Sequence, residues 1–267
     1  MRIKERLKNS KFVKDSFWAV FGNAAGNALF LLAGIFVARI IGKDLYGEYG
    51  LVKSTMFYIA AFSTFGMYST STKYVSEYVQ RNKEYLKSII NDSLKIGFIF
   101  SLIMSSLLFV FSKQLAIYLE HPQLCLPLRL LSIIIVLKTI NQTQLGILSG
   151  FKAFKVISTT NIVCGVVMLI SSIILTYIFG LNGALSSLVI SQVWQAIQNN
   201  FAIKRIVSKY DKQLSNKKFT KELIKFSFPV ALQASYNPVV HWLAVVLLTK
   251  LSSLGELALY SASAQWN

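Results

Sequence analysis

The sequence predicts an all-α, polytopic bundle of transmembrane helices, and two observations support this fold class. First, hydrophobic residues make up 54% of the 267 residues and the mean hydropathy is +0.53, which is high for a soluble domain. Second, the apolar residues form long segments, and a helix of roughly 20 apolar residues can cross the ~30 Å core of a bilayer. Seven such segments and the start of an eighth cover residues 17–40, 51–72, 96–117, 126–149, 157–179, 183–203, 226–249 and 257 onward.

Basic residues are concentrated in alternate connections between these segments. The chain has 28 Lys and Arg against 11 Asp and Glu, a net charge of +17. Most of the basic residues lie in residues 1–15, 81–95, 152–155 and 204–225. The positive-inside rule therefore predicts a multi-pass protein with a cytoplasmic N-terminus. Anionic lipid at the inner leaflet explains this charge, and no nucleic-acid-binding motif accompanies it, so nucleic acid is not an expected partner.

The first two segments carry the features that are typical of packed membrane helices. Gly22 and Gly26 have the GxxxG spacing, which allows a second helix to approach closely. We expect an outer turn from Gly42 to Gly50. The second segment is the least apolar, with Lys53 near its outer end and Lys73 near its inner end. Long lysine side chains near helix ends can extend to the nearer membrane surface, so a structural role remains open for both.

Proline and glycine mark the connections between the later segments. Pro122 and Pro127 flank the outer turn before the fourth segment, and Gly180 and Gly183 flank the shortest connection, before the sixth. Both residue types are common in turns, since proline lacks the backbone N–H that a helix needs and glycine tolerates positive φ. The spacing of these breaks agrees with a chain that crosses the membrane repeatedly.

The longest and most charged connection, 204–225, is predicted to be a cytoplasmic linker between two lobes. Residues 1–203 form an N-terminal lobe of six helices, and 226–267 begin a C-terminal lobe with helix seven and part of helix eight. The seventh segment opens with the Lys-x-Ser-Phe pattern that also opens the first, a weak internal repeat. Six helices per lobe would give a parallel repeat and at least twelve helices in all. We therefore expect a longer protein, truncated here within its eighth helix.

Polar residues inside the apolar segments are the candidates for function, since ionisable groups at membrane depth are costly and usually functional. Lys138 is the clearest, because it lies halfway along its segment, where a charge costs about 2.5–3.5 kcal/mol on insertion scales. Asn141 and Gln142 follow it at helical spacing. Lys138 can either face a cavity, where Lys53 and Lys73 are further candidates, or pair with a neighbouring helix. The sequence leaves both interpretations open.

Other polar residues share helix faces in the first, sixth and seventh segments. They are Asn23 and Asn27, Gln192 and Gln195, and Gln233, Asn237 and His241. Hydrogen bonds between helices, at about 0.6–2 kcal/mol each, would explain them, but their coincidence favours a hydrated substrate cavity. Pro238 removes a backbone hydrogen bond in the middle of the seventh segment, so we expect a kink there that acts as a gating hinge.

Enzymatic and cofactor-dependent activities find little support. Cys125 and Cys164 are far apart in the sequence, and neither lies in a pattern rich in Cys and His, so no metal site is predicted. No glycine-rich phosphate loop occurs, and no cofactor is expected. A membrane glycosyltransferase would need an acid or a histidine base near the membrane surface. Asp44 beside Glu48 is the nearest arrangement of that kind, and it is weak support for an enzyme.

Several short motifs resemble those of a known family. They are Asn23-Ala24-Ala25-Gly26, the run from Val37 to Gly50, Leu148 to Phe154, and Lys225 to Pro229. Together they resemble bacterial polysaccharide flippases of the O-antigen type. This family belongs to the multidrug/oligosaccharidyl-lipid/polysaccharide (MOP) exporter superfamily, which also contains multidrug exporters and lipid II flippases.

The resemblance implies a two-lobed MOP-type fold in the bacterial cytoplasmic membrane. The substrate would be an undecaprenyl-diphosphate-linked oligosaccharide, moved by alternating access for polysaccharide biosynthesis. Implied partners are membrane lipid, a polysaccharide polymerase and other assembly proteins. Two relatives remain alternatives. Multidrug exporters usually carry an acidic residue in the N-lobe core, and the first and third to sixth segments here have none. Lipid II flippases tend to have several arginines in the first two helices, where this chain has only Arg39.

Overall fold

The computed structural model describes residues 11–210, 217–252 and 254–263. Within these residues the regular structure is helical, as the predicted fold class requires. Two 3₁₀ turns, Lys83–Tyr85 and Pro122–Leu124, precede the third and fourth helices. The α-helices are α1 (Lys11–Ser63), α2 (Met67–Gln80), α3 (Leu86–Tyr118), α4 (Cys125–Gly150), α5 (Phe154–Val207), α6 (Thr220–Leu251) and α7 (Leu254–Ser263).

The two longest helices, α1 and α5, are each interrupted at a single glycine. Gly42 has φ 79° and ψ 175°, and Gly180 has φ 56° and ψ −132°. Glycine adopts such positive φ values at little cost because it has no Cβ. The predicted outer turn from Gly42 to Gly50 is therefore wrong in extent, because the helix resumes at Lys43. We call residues 11–41 and 43–63 the first and second arms of α1, and 154–179 and 181–207 the first and second arms of α5.

Each interrupted helix folds back on itself, and in α1 Phe30 of the first arm and Lys53 of the second line the same cavity. In α5 the Gln195 Nε2 atom donates a hydrogen bond to Asn161 Oδ1 at 3.2 Å, and Cys164 Sγ donates to the Ser191 carbonyl at 3.4 Å. Residue numbers thus rise along one arm as they fall along the other. In the described residues four helices are long and apolar enough to cross a membrane, or five with the bent pair Pro122–Leu130 and Ser132–Gly150. Two of the four contain both arms of a hairpin.

Contacts between neighbouring helices show that successive spans alternate in direction. The parallel neighbours are the first arms of α1 and α5, α4 and the second arm of α5, and α2 and α4. The antiparallel neighbours are α3 and α4, and α2 and α6. The contacts that give these directions are Gly22–Ser158 and Leu29–Gly165, Asn141–Gln192 and Gln144–Ala196, Tyr68–Gly146 and Val75–Gly150, Ser105–Ser132 and Ser112–Arg129, and Thr70–Ser227 and Tyr74–Glu222. The basic connections therefore meet at one end of the bundle.

The predicted second segment, 51–72, is not one helix. The helix ends at Ser63, and α2 begins at Met67 after two residues with positive φ, Phe65 at 47° and Gly66 at 66°. A Cβ at Gly66 would lie 3.1 Å from the Ser227 carbonyl oxygen, so the break lets α6 approach closely. The Phe65 ring stacks on Phe100 with 4.0 Å between centroids, which holds the break against α3.

The orientation in the membrane is a prediction that labelling can test. In a protein without its native cysteines, we expect Tyr85→Cys and Ser215→Cys to react only with thiol reagents that reach the cytoplasm, because both lie in basic connections. We expect Asp44→Cys and Asn182→Cys to react with impermeant reagents added to intact cells. Labelling of Ser215→Cys from outside would contradict the orientation.

Candidate functional site

Polar side chains from the arms of α1, from α4 and from the arms of α5 line one cavity inside the bundle formed by α1 to α5, which we call the first bundle. Its volume is about 380 Å³. The helical period explains the convergence, since residues three or four apart lie on one helix face. Predicted candidates that line the cavity are Lys138, Lys53, Asn23, Asn27, Gln192 and Gln195. The structure therefore brings together residues from segments that are far apart in the sequence.

Two lysines give one wall of the cavity its positive charge. The Lys138 Nζ atom lies 4.9 Å from the centroid of the Phe57 ring, and the Lys53 Nζ atom lies 5.5 Å from that of Tyr49. Such cation–π contacts contribute about 0.5–2 kcal/mol, which is less than the cost of a charge at membrane depth. Arg81 forms an ion pair with Glu77 at the end of α2. Within the described ranges neither cavity lysine forms an ion pair with a carboxylate. This wall is suited to an anion.

Amide side chains also line the cavity and hold its helices together. Asn161 Nδ2 donates to Asn23 Oδ1 at 3.0 Å, and Asn161 Oδ1 accepts the bond from Gln195. Asn141 Nδ2 donates to the side-chain and the backbone oxygen of Gln192, both at 2.9 Å. The two interpretations of these amides are therefore compatible, because the same residues bridge helices and line the cavity.

The sequence pattern does not single out Asn161, yet this residue on the first arm of α5 bonds both Asn23 on α1 and Gln195 on the second arm of α5. It is the one amide residue in the fifth apolar segment, 157–179. That isolation is the signal that could have identified it, since a single amide in an apolar helix needs a partner on a neighbouring helix.

Three other candidates do not line this cavity. Lys73 is exposed, with its Nζ atom 3.9 Å from the centroid of the Phe226 ring. The break before α2 places it on a different helix from Lys53. Gln233 and His241 are exposed on α6 and do not line this cavity, so their place in a hydrated cavity between the two lobes stays a prediction. The helix α6 runs through Asn237 and Pro238, whose side chains lie outside the described part of the chain.

The acidic residues considered for an enzyme lie beside the break in α1. Asp44 is exposed, and Glu48 Oε1 accepts a hydrogen bond from Gln123 Nε2 at 3.3 Å. Neither residue lines the lysine cavity. Among the described residues, no three His, Cys, Asp or Glu side chains are grouped so that they could hold a metal ion.

Known proteins resemble this chain in sequence and in fold. The family model described as "Polysaccharide biosynthesis protein" matches residues 12–266. A "Putative O-antigen transporter" of Shigella flexneri is 24% identical over 259 residues, which cover 95% of this chain and 61% of that protein.

Two solved structures share the fold. One is the inward-facing conformation of a multidrug resistance MATE family transporter of the MOP superfamily, with a TM-score of 0.71, 15% identity and coverage of 92% of this chain and 60% of that one. The other is MATE in the bent conformation, with a TM-score of 0.67, 17% identity and coverage of 95% and 63%. The chain spans 60% to 63% of the length of these relatives. Because the family model matches nearly all of its residues, the chain belongs to the polysaccharide biosynthesis protein family.

Proposed function

We propose that this protein is a flippase that moves an undecaprenyl-diphosphate-linked oligosaccharide across the bacterial cytoplasmic membrane by alternating access. The observation that carries this proposal is the cavity with Lys53 and Lys138, because it offers unpaired positive charge inside a transporter fold. The family and the name of the Shigella relative support a role in polysaccharide export. The transported lipid-linked oligosaccharide would then be used in polysaccharide biosynthesis. Membrane lipid and a polysaccharide polymerase would be further partners.

The diphosphate group explains why the cavity is basic. Hydrogen bonds between an ammonium and a phosphate oxygen are charge-assisted and about twice as strong as neutral ones. Asn27 and Gln142, which line the same cavity, add neutral amide groups beside the two lysines. Lysine holds phosphate as a point charge rather than through the bidentate fork of arginine. Binding of this kind can be strong enough for the headgroup to enter and weak enough for it to leave.

The size of the cavity supports a role in binding the headgroup rather than the whole substrate. A volume of about 380 Å³ lies at the lower end of the ~300–1,000 Å³ that small-molecule pockets occupy. An oligosaccharide and a long isoprenoid chain do not fit in that space together with the diphosphate. We propose that the sugars extend out of the cavity and that the isoprenoid chain stays in the lipid.

The alternatives differ from this proposal in the charge that they require. A multidrug exporter that exchanges cations would need an acidic residue in the first lobe, and no Asp or Glu lines this cavity. A lipid II flippase would bind a similar headgroup, so the identity of the accumulated lipid distinguishes the two. A membrane glycosyltransferase would instead depend on a surface acid, for which Asp44 is the best candidate.

Substitution of Asp44 distinguishes the transporter proposal from the enzyme proposal. We expect Asp44→Asn, introduced into the chromosomal copy of the gene, to leave surface polysaccharide at about its normal level, because exposed surface substitutions change stability by less than about 0.5 kcal/mol. The amount of polysaccharide per cell checks this expectation, and Lys43→Gln is the control for charge at the same outer turn.

Mass spectrometry of lipid extracts completes the test. Cells without the protein should accumulate finished lipid-linked oligosaccharide, because a flippase leaves its covalent structure unchanged. If the accumulated lipid were one sugar short and Asp44→Asn reproduced that defect, the protein would be an enzyme and the transporter proposal would be wrong. If it were lipid II, the substrate proposal would be wrong and the transporter would stand.

A further inference from the structure

Asp92, near the start of α3, binds the beginning of α6. Its Oδ2 atom accepts a hydrogen bond from the Phe219 backbone N–H at 2.7 Å and from Thr220 Oγ1 at 3.1 Å. Phe219 is the N-cap residue of α6 and its own side chain makes no capping bond. The first N–H groups of a helix lack intrahelical partners and carry partial positive charge, so a carboxylate stabilises them. Here that carboxylate comes from another helix.

The Phe219 ring anchors the same end of α6 in the first bundle. It is 1% exposed and meets the rings of Tyr78 and Tyr85 edge to face, at 5.2 Å and 5.5 Å between centroids. Lys217 Nζ lies 5.2 Å from the centroid of the Phe219 ring on the linker side. The end of the basic linker is therefore packed against α2 and α3.

A third contact lies two turns further along α6. The hydroxyl groups of Thr70 and Ser227 are both buried and 2.7 Å apart. Beyond this point the middle of α6 is largely exposed, with Leu232 at 63% and Tyr236 at 72%. We call the set Asp92, Phe219, Thr220, Thr70 and Ser227 the α6 joint.

The contacts at the two ends of α6 differ in kind. The α6 joint is made of directional hydrogen bonds, partly buried at Asp92 and buried between Thr70 and Ser227, and of an inserted aromatic ring. Near the other end Val245 and Val246 pack into an apolar cluster with residues of α1. Opening the joint would leave the partly buried Asp92 carboxylate and the helix N–H groups without each other, and an unsatisfied charged group is costly. Apolar surfaces have no such directional partners, so they separate or slide more readily.

We infer that Asp92 is a positioning residue that docks the start of α6 on the first bundle, and that the α6 joint stays closed while the two lobes change their relative orientation. The docking stands on the contacts alone. The part about lobe motion rests on the proposed flippase function, because only a transporter needs two orientations. The linker would then end in a fixed hinge rather than in a free tether.

Disulfide cross-linking tests the docking in isolated membranes. In a chain without native cysteines, Thr70→Cys and Ser227→Cys should form a disulfide under mild oxidation, and trypsin cleavage in the lysine-rich linker should leave the two halves joined. Adding Asp92→Ala should slow the cross-linking roughly fivefold or more, and Asp92→Asn should have a smaller effect because it keeps an acceptor oxygen. Glu77→Ala is the matched control, since among the described residues the Glu77 carboxylate bonds Arg81, four residues away.

A second cysteine pair shows whether the bundle itself remains folded. Ser105→Cys with Ser132→Cys joins α3 to α4, where the Ser105 hydroxyl bonds the Ser132 carbonyl. Its cross-linking rate should not change with Asp92→Ala. An unchanged rate for the 70–227 pair in both Asp92 variants would overturn the docking role.

The closed hinge is tested in the chromosomal copy of the gene. Oxidising the 70–227 pair should leave at least about half of the polysaccharide export, as expected for a hinge that does not open. Loss of export on oxidation, restored by a reductant, would overturn the closed hinge and make the joint a gate. If the gene has no role in polysaccharide export, the proposed function fails while the docking result in membranes still stands.

Discussion

Replacing Lys138 with methionine in the chromosomal copy should reduce surface polysaccharide by roughly tenfold or more, because a lost bond to a charged group costs about 1.5–3 kcal/mol. Methionine keeps the length of the side chain and removes its charge. Lys138→Arg should retain much of the export, since it preserves the positive charge. Polysaccharide per cell, compared at equal amounts of membrane protein, measures the effect.

The same substitution should not destabilise the protein, and this separates a binding role from a structural one. A charge at the centre of a membrane helix costs about 2.5–3.5 kcal/mol, and the contact with Phe57 offsets only part of that cost. We therefore expect the thermal unfolding temperature of Lys138→Met in detergent to equal or exceed that of the unmodified protein. Lys73→Met is the matched control, because Lys73 lies outside the cavity and should keep normal export.

Full export by Lys138→Met would contradict the headgroup role of this lysine. The binding site would then have to be sought at Lys53, on the second arm of α1. A fall in both export and unfolding temperature would show instead that Lys138 holds helices together.

Gly146→Val should strongly reduce the yield of folded protein. A Cβ at Gly146 would clash with the Tyr68 carbonyl oxygen and would lie 2.9 Å from the Tyr68 Cα atom. Because these are backbone atoms, the clash is relieved only by separating α2 from α4. Overpacking of this kind typically costs about 1–3 kcal/mol and sometimes more. The bond from Thr72 Oγ1 to the Gly146 carbonyl, 3.0 Å long, would be lost as well.

The yield of monodisperse protein on size-exclusion chromatography and its unfolding temperature measure this effect. Ser69→Val is the control, because Ser69 is exposed on α2 and its enlargement meets no backbone. Equal stability of Gly146→Val and Ser69→Val would mean that α2 and α4 are not packed as the structure shows.

Hydropathy and helical period were sufficient to predict the all-α fold and much of the cavity. Lys138 and Asn141 fall on one face of α4, and Gln192 and Gln195 on one face of α5, so the sequence identifies them without a structure. Asn161 was not predicted as a site residue, because a single polar residue in an apolar helix shows no periodicity. Periodicity also places Gln233 and His241 on one face of α6, but it does not show which neighbour that face meets, so their role stays a prediction.

The breaks in the helices were predicted less well, for a reason that lies in tertiary packing. Tyr46 and Gly47 look like turn residues, yet Tyr46 is buried in a helix that resumes directly after Gly42. Phe65 and Gly66 interrupt an apolar run that has no local signal for a turn other than the glycine. The break there coincides with the close approach of Ser227 on α6, which lies far away in the sequence.

The most direct test of the flippase proposal is the leaflet in which the lipid-linked oligosaccharide resides. Spheroplasts are treated with an impermeant enzyme that cleaves the oligosaccharide, and the intact lipid that remains is measured. With the unmodified protein, we expect most of the lipid to be cleaved. With Lys138→Met, we expect most of it to be protected on the cytoplasmic side. Equal cleavage in both strains would contradict the claim that this protein moves the lipid and that its lysine cavity is needed to do so.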